Sequence, residues 1–110
     1  MSVKLALLLA AGCAQDIGPH LTSAMPSSAA HGATVTIAGQ RMCDGDCAHA
    51  AGEFIIGGAA DQPAVQLPIV AFADTDAMVT IPGGAPVGPV SIELTVDDSA
   101  SNALDFDVLP

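Results

Sequence analysis

The segment PVSIELTVDD, residues 89–98, alternates apolar and polar side chains without a break. Val90, Ile92, Leu94 and Val96 share one parity; Ser91, Glu93, Thr95 and Asp97 share the other. Period two over that length is the pattern of a strand with one dry face and one wet face. The closing segment ALDFDVLP repeats it, with Leu104, Phe106 and Val108 against Asp105 and Asp107, and ATVTIAG sets Val35 and Ile37 against Thr34 and Thr36. A helix fails the same residues. Positions three apart share a helical face, so Asp105 would lie beside Val108 and Glu93 beside Val96.

Further strand candidates are Pro19 to Ala24, Glu53 to Gly57, Val65 to Phe72 and Ala77 to Ile81, separated by Pro26, Gly39, Gly57-Gly58, Pro82-Gly83-Gly84 and Gly88-Pro89. Proline and glycine at this spacing punctuate short strands rather than helices. The expectation is an all-β chain of about seven strands, which bury their alternate faces by packing two sheets face to face or by closing a small barrel. With 110 residues the chain has room for one domain. Aromatic residues make up 3% of it, and tryptophan and tyrosine are absent. The core is therefore aliphatic, with Phe54, Phe72 and Phe106 as its large rings.

The order of these elements resembles the IPT/TIG domain, an immunoglobulin-like sandwich of the E-set type. That family opens on a proline strand and a "tVtItG" strand; here the stretch is PHLTSAMPSSAAHGATVTIAG. Its middle passes from a tryptophan strand through Asp-Thr to a strand ending in proline, and Val70 to Pro82 follows it, with Phe72 in the tryptophan's place and Asp74-Thr75 as the Asp-Thr. GPVSIELTV and SNALDFDV match the family's last two strands. The resemblance covers residues 19–110 and implies a sandwich domain there. Asn102, before the final strand, is expected to satisfy the backbone of a turn.

The first 13 residues, MSVKLALLLAAGC, place Lys4 before an apolar run, Leu5 to Ala11, closed by Gly12 and Cys13. A positive head, a short apolar body and small residues at the cut make an export signal. The run falls well short of the roughly 20 apolar residues that span a bilayer. LAAGC resembles a bacterial lipoprotein box, departing from it in carrying Ala10 where the family usually has leucine. The resemblance implies residues 1–12 as a signal peptide, residues 13–18 as a lipidated Cys13 and short tether, and a membrane-lipid partner through palmitate-type acylation of Cys13. Multiple acyl chains anchor durably where one binds only marginally. Ala14 stands where an aspartate favours inner-membrane retention, so the implied location is the outer membrane of a bacterial cell envelope; plain secretion is the runner-up.

RMCDGDCAH, from Arg41 to His49, concentrates two cysteines, two aspartates and a histidine in the loop between two strands. In an exported chain Cys43 and Cys47 are expected to form a disulfide, since such bonds persist in oxidising compartments and Gly45 allows the loop to reverse. Three alternatives stay open. Cys43, Cys47 and His49 with Asp44 or Asp46 would suit zinc. A redox site prefers a Cys-x-x-Cys spacing at a helix start, and calcium on Asp44 and Asp46 lacks the twelve-residue ligand loop. Asp44, Gly45, Asp46 and His49 are the candidate binding loop.

Formal net charge is −10, from 12 acidic and 2 basic side chains. Nucleic-acid backbones require clustered lysine and arginine, so no nucleic-acid partner is expected. His20, His31 and His49 are candidate bases, and Asp74 with Asp76 and Asp97 with Asp98 are carboxylate pairs. Yet the chain holds no Gly-x-Ser-x-Gly elbow, Ser-x-x-Lys pair, His-Glu-x-x-His or phosphate loop. The expectation is a noncatalytic, cofactor-free module of adhesion, assembly or protein contact with an envelope protein partner. The second reading is an envelope module that binds carbohydrate or a divalent cation; the lack of Tyr and Trp weighs against sugar.

Overall fold

The alternating segments form strands. In the computed structural model, which describes residues 18–43, 47, 52–57 and 64–110, these are β1 (His20–Met25), β2 (Ser28–Ala30), β3 (Thr34–Gln40), β4 (Gly52–Gly57), β5 (Val65–Leu67), β6 (Ile69–Phe72), β7 (Asp76–Thr80), β8 (Gly88–Val96), β9 (Ser99–Ala100) and β10 (Leu104–Leu109). They build two sheets. One has the order β1-β3-β7-β6; the other has β2-β10-β8-β4-β5, with β9 attached to β8. All pairings are antiparallel except β2 with β10.

The parity read from sequence is the parity of burial. Val90, Ile92, Leu94 and Val96 of β8 are buried, as are Val35 and Ile37 of β3 and Phe106 and Val108 of β10. They meet Phe54, Ile56 and Leu67 from the larger sheet and Leu21 and Val79 from the smaller in one core. Phe54 is wholly buried and meets Phe72 edge to face, centroids 6.1 Å apart at 84°. Phe72 is only partly buried. Truncating a buried ring such as Phe54 to alanine costs about 3–5 kcal/mol.

Three differences from the sequence reading account for ten strands instead of seven among the described residues. First, the expected strand from Val65 to Phe72 is two strands in two sheets. Pro68 has no N–H to donate to a ladder, and the chain crosses there from β5 to β6; its carbonyl still accepts the Thr80 N–H at 3.0 Å. Second, Ser28–Ala30 pairs in parallel with Asp107 to Leu109 just after a cis Met25–Pro26 bond. Third, Ser99–Ala100 turns back on Val96 and Thr95. The intervening Asp97 and Asp98 both have positive φ, 49° and 73°. That is the backbone hand of a two-residue hairpin turn, which aspartate tolerates better than most residues.

Beyond this hairpin the ladder is irregular. Ser101 exchanges hydrogen bonds with Leu94: its N–H donates to the Leu94 carbonyl (2.7 Å) and its Oγ accepts the Leu94 N–H (2.9 Å). Pairing resumes at Leu104 opposite Ile92. Asn102 and Ala103 thus stand opposite Glu93 alone, a bulge that turns the Asn102 side chain away from its own sheet. It reaches β1 in the other sheet, accepting from the Leu21 N–H at 2.7 Å and donating from Nδ2 to the Leu21 carbonyl at 3.0 Å. The expected role in a turn becomes a clamp between β1 and the segment that leads into β10.

Candidate functional site

The cysteine segment begins where β3 ends, and its first residues are fixed in place. Arg41 has φ 54° and donates from Nε to the Gly18 carbonyl at 3.0 Å. Met42 is completely buried, and its N–H donates to the Asp74 carbonyl at 3.0 Å. The Cys43 N–H donates to Asp74 Oδ1 at 3.1 Å. Gly39 N–H donates to the Thr75 carbonyl at 3.0 Å. Asp74 and Thr75 are the two central residues of the hairpin between β6 and β7, closed by the Ala73 N–H on the Asp76 carbonyl at 2.8 Å. Three donors leaving β3 therefore find acceptors on one two-residue turn. Buried backbone donors left without acceptors would cost about 1–3 kcal/mol each, and Cys43 is buried.

Gly39 itself is required by close approach. A Cβ there would fall on the His20 carbonyl oxygen and 2.9 Å from the Met42 sulfur.

Cys43 and Cys47 are joined in a disulfide, with Cα atoms 4.8 Å apart. This corrects the zinc alternative: paired sulfurs leave no thiolates to coordinate the ion. Asp44, Gly45, Asp46 and His49 of the candidate binding loop, and Cys13, lie outside the described residues. Among the described residues no three His, Cys, Asp or Glu side chains are gathered as metal ligands, and no helix is long and apolar enough to cross a membrane.

The remaining titratable candidates are dispersed. The His31 ring nitrogen Nε2 lies 2.9 Å from the Ala85 carbonyl, whereas His20 is exposed on β1. Asp97 and Asp98 form the hairpin turn, and Asp74 receives the cysteine segment. The carboxylate pairs are thereby split among structural tasks.

The chain direction decides what this end of the sandwich is. His20 pairs with Gln40, Gly52 with Val96, and Ala38 with Asp76. The start of the described chain at Gly18, the cysteine segment, the Asp74-Thr75 turn and the Asp97-Asp98 turn therefore share one end. An ideal Cβ on Gly18 would lie 3.5 Å from the Ser99 Cβ, in agreement. Leu109 pairs with Ala30 at the opposite end.

Two residue groups here carry more than sequence reading assigned them. Asp74 was visible as half of an acidic pair and as the Asp of an Asp-Thr step, not as the acceptor of the cysteine segment. The outward row Met25, Thr36, Met78 and Ala71, consecutive partners across the four-stranded sheet, depends on a register no local pattern encodes.

Comparison with known proteins defines the class and goes no further. A crystal structure of a DUF4784 family protein from Bacteroides caccae ATCC 43185 superposes with a TM-score of 0.55 over 83% of this chain, at 15% identity. At that identity the similarity concerns the fold alone: an all-β domain of two sheets. The chain corresponds to 23% of that protein's length. No protein-family profile matches the sequence, and no curated protein matches it.

Proposed function

We propose that the chain is a noncatalytic, lipid-anchored immunoglobulin-like domain of the bacterial cell envelope, of IPT/TIG type, working by protein contact in adhesion or assembly. The observation that carries this reading is the Cys43–Cys47 disulfide. It agrees with an oxidising compartment, and it leaves Cys13 of LAAGC as the odd cysteine, positioned as the acyl acceptor of a lipoprotein. The sheet orders β1-β3-β7-β6 and β2-β10-β8-β4-β5 support the immunoglobulin-like assignment, because a strand run split between sheets at Pro68 and the parallel pairing of β2 with β10 suit such a sandwich.

An anchor at Cys13 has a geometric consequence. Five residue steps lead from it to Gly18, a reach of at most about 18 Å when extended. The disulfide-bearing end would then stand nearest the membrane. Asp74, Asp97 and Asp98 on that end, with Asp44 and Asp46 in the intervening sequence, would be repelled by anionic headgroups. The disulfide-bearing end then becomes the base of the domain, and partner contacts fall to its flanks and far end.

The test is fractionation of cells expressing the wild type and Cys13→Ser. The wild type partitions with membranes and the variant is released or retains its signal with a larger mass. A variant that stays in the membrane fraction with unchanged mass contradicts the anchor.

A further inference from the structure

The outer faces of the two sheets differ in charge. Outward positions of the larger sheet carry Glu53, Glu93, Asp105 and Asp107. Outward positions of β3, β7 and the hairpin edge of β6 are Thr34, Thr36, Ala38, Met78, Thr80, Ala71 and Ala73, interrupted by one carboxylate, Asp76. A groove of about 270 Å³ opens on this second face, lined by Thr36, Met78, Ala71, Phe72, Ala73 and Asp76. Met78 is 40% exposed there.

We propose that this groove is a docking site for a lysine or arginine side chain of a partner polypeptide. Three observations converge on that occupant. The groove lies just under the roughly 300 Å³ at which small-molecule pockets begin, which suits one long side chain. Its outward apolar side chains are Met78, Ala71 and Ala73, which an aliphatic stem covers, and its single charge is the exposed Asp76, which the head of such a side chain meets. Among the described residues, the Asp76 carboxylate enters no hydrogen bond or ion pair; its main-chain carbonyl accepts the Ala73 N–H.

Charge then selects the partner. A chain of net charge −10 draws basic partners and repels acidic ones. A second copy is a poor source of the cation: its basic residues are two, Lys4 and Arg41, and Arg41 is committed to the Gly18 carbonyl. This inference deepens the protein-contact reading by naming the chemistry of the contact. It does not depend on Cys13, so fractionation of Cys13→Ser and binding at the groove succeed or fail separately.

The experiment is an NMR titration of the full chain with the capped pentapeptide Ala-Leu-Lys-Leu-Ala, with its Lys→Glu counterpart and with putrescine as a free diamine. The lysine peptide is expected to shift the Met78 methyl and the Asp76 and Ala71 amides saturably; the glutamate peptide leaves them unmoved. Asp76→Asn is expected to weaken the lysine peptide at least about tenfold, as loss of a charge-assisted hydrogen bond implies, while its amide dispersion stays that of the wild type. Met78→Lys, which fills the groove with a side chain of its own, is expected to abolish the shifts. Absence of saturable shifts, equal binding by Asp76→Asn, or shifts confined to other residues would overturn the site. Putrescine binding as tightly as the peptide would overturn the polypeptide as its occupant.

Discussion

Asn102 and Leu21, 81 residues apart, are joined by a double hydrogen bond in which one side-chain amide satisfies both the N–H and the C=O of one backbone position. Leu21 is buried in the smaller sheet; Asn102 leaves the larger one at a bulge. The contact thus ties the two sheets at the end where the chain enters. Asn102→Ala is expected to destabilise the domain by about 1–2 kcal/mol, or roughly 5–15 °C in Tm for a domain of this size. Asn102→Asp, which keeps an acceptor but loses the donor to the Leu21 carbonyl, should also lower Tm. Thermal unfolding followed by circular dichroism reads both; an unchanged Tm in Asn102→Ala removes the clamp from the account.

Asp74 is expected to behave as a receptor for the cysteine segment. Its Oδ1 accepts from the buried Cys43 N–H, so Asp74→Ala leaves that donor unpaired at a cost of about 1–3 kcal/mol. Asp74→Asn retains an oxygen acceptor and should recover most of the loss. Urea unfolding of the two variants measures the difference. Equal destabilisation by both would mean that the carboxylate charge, rather than the acceptor, is what matters.

The Cys43–Cys47 bond closes a very short loop, for which the chain-entropy estimate is on the order of 2 kcal/mol. The alternating core does not pass through it: Met42 reaches the core through its own side chain and backbone hydrogen bond. Reduction, or the double change Cys43→Ala and Cys47→Ala, should therefore increase amide exchange around residues 40–52 and leave the β signal nearly intact. Collapse of the circular dichroism spectrum on reduction would show that the bond supports the whole sandwich.

Much of this fold is legible as parity. Strands β3, β8 and β10 bury the residues their alternation marks, because each has one sheet face against the core and one in water. The passage from β5 to β6 is not legible that way. Apolar residues continue on both sides of Pro68, and only the missing N–H betrays the change of sheet. Ser28–Ala30 and Ser99–Ala100 contain no apolar alternation and exist as strands through pairing with Asp107 to Leu109 and Thr95 to Val96. The disulfide was legible from spacing and export together. The tasks of Asp74 and Asn102, and the groove beside Asp76, were not, since each arises from residues that only tertiary register brings together.

Intact-mass spectrometry of the mature protein from the membrane fraction, before and after reduction, is the most direct test of the central claim. The account predicts a chain that begins at Cys13, carries added acyl mass and gains two hydrogens on reduction. A chain that retains Met1 through Gly12 in the mature pool, or one that carries free thiols at Cys43 and Cys47 before reduction, would contradict it.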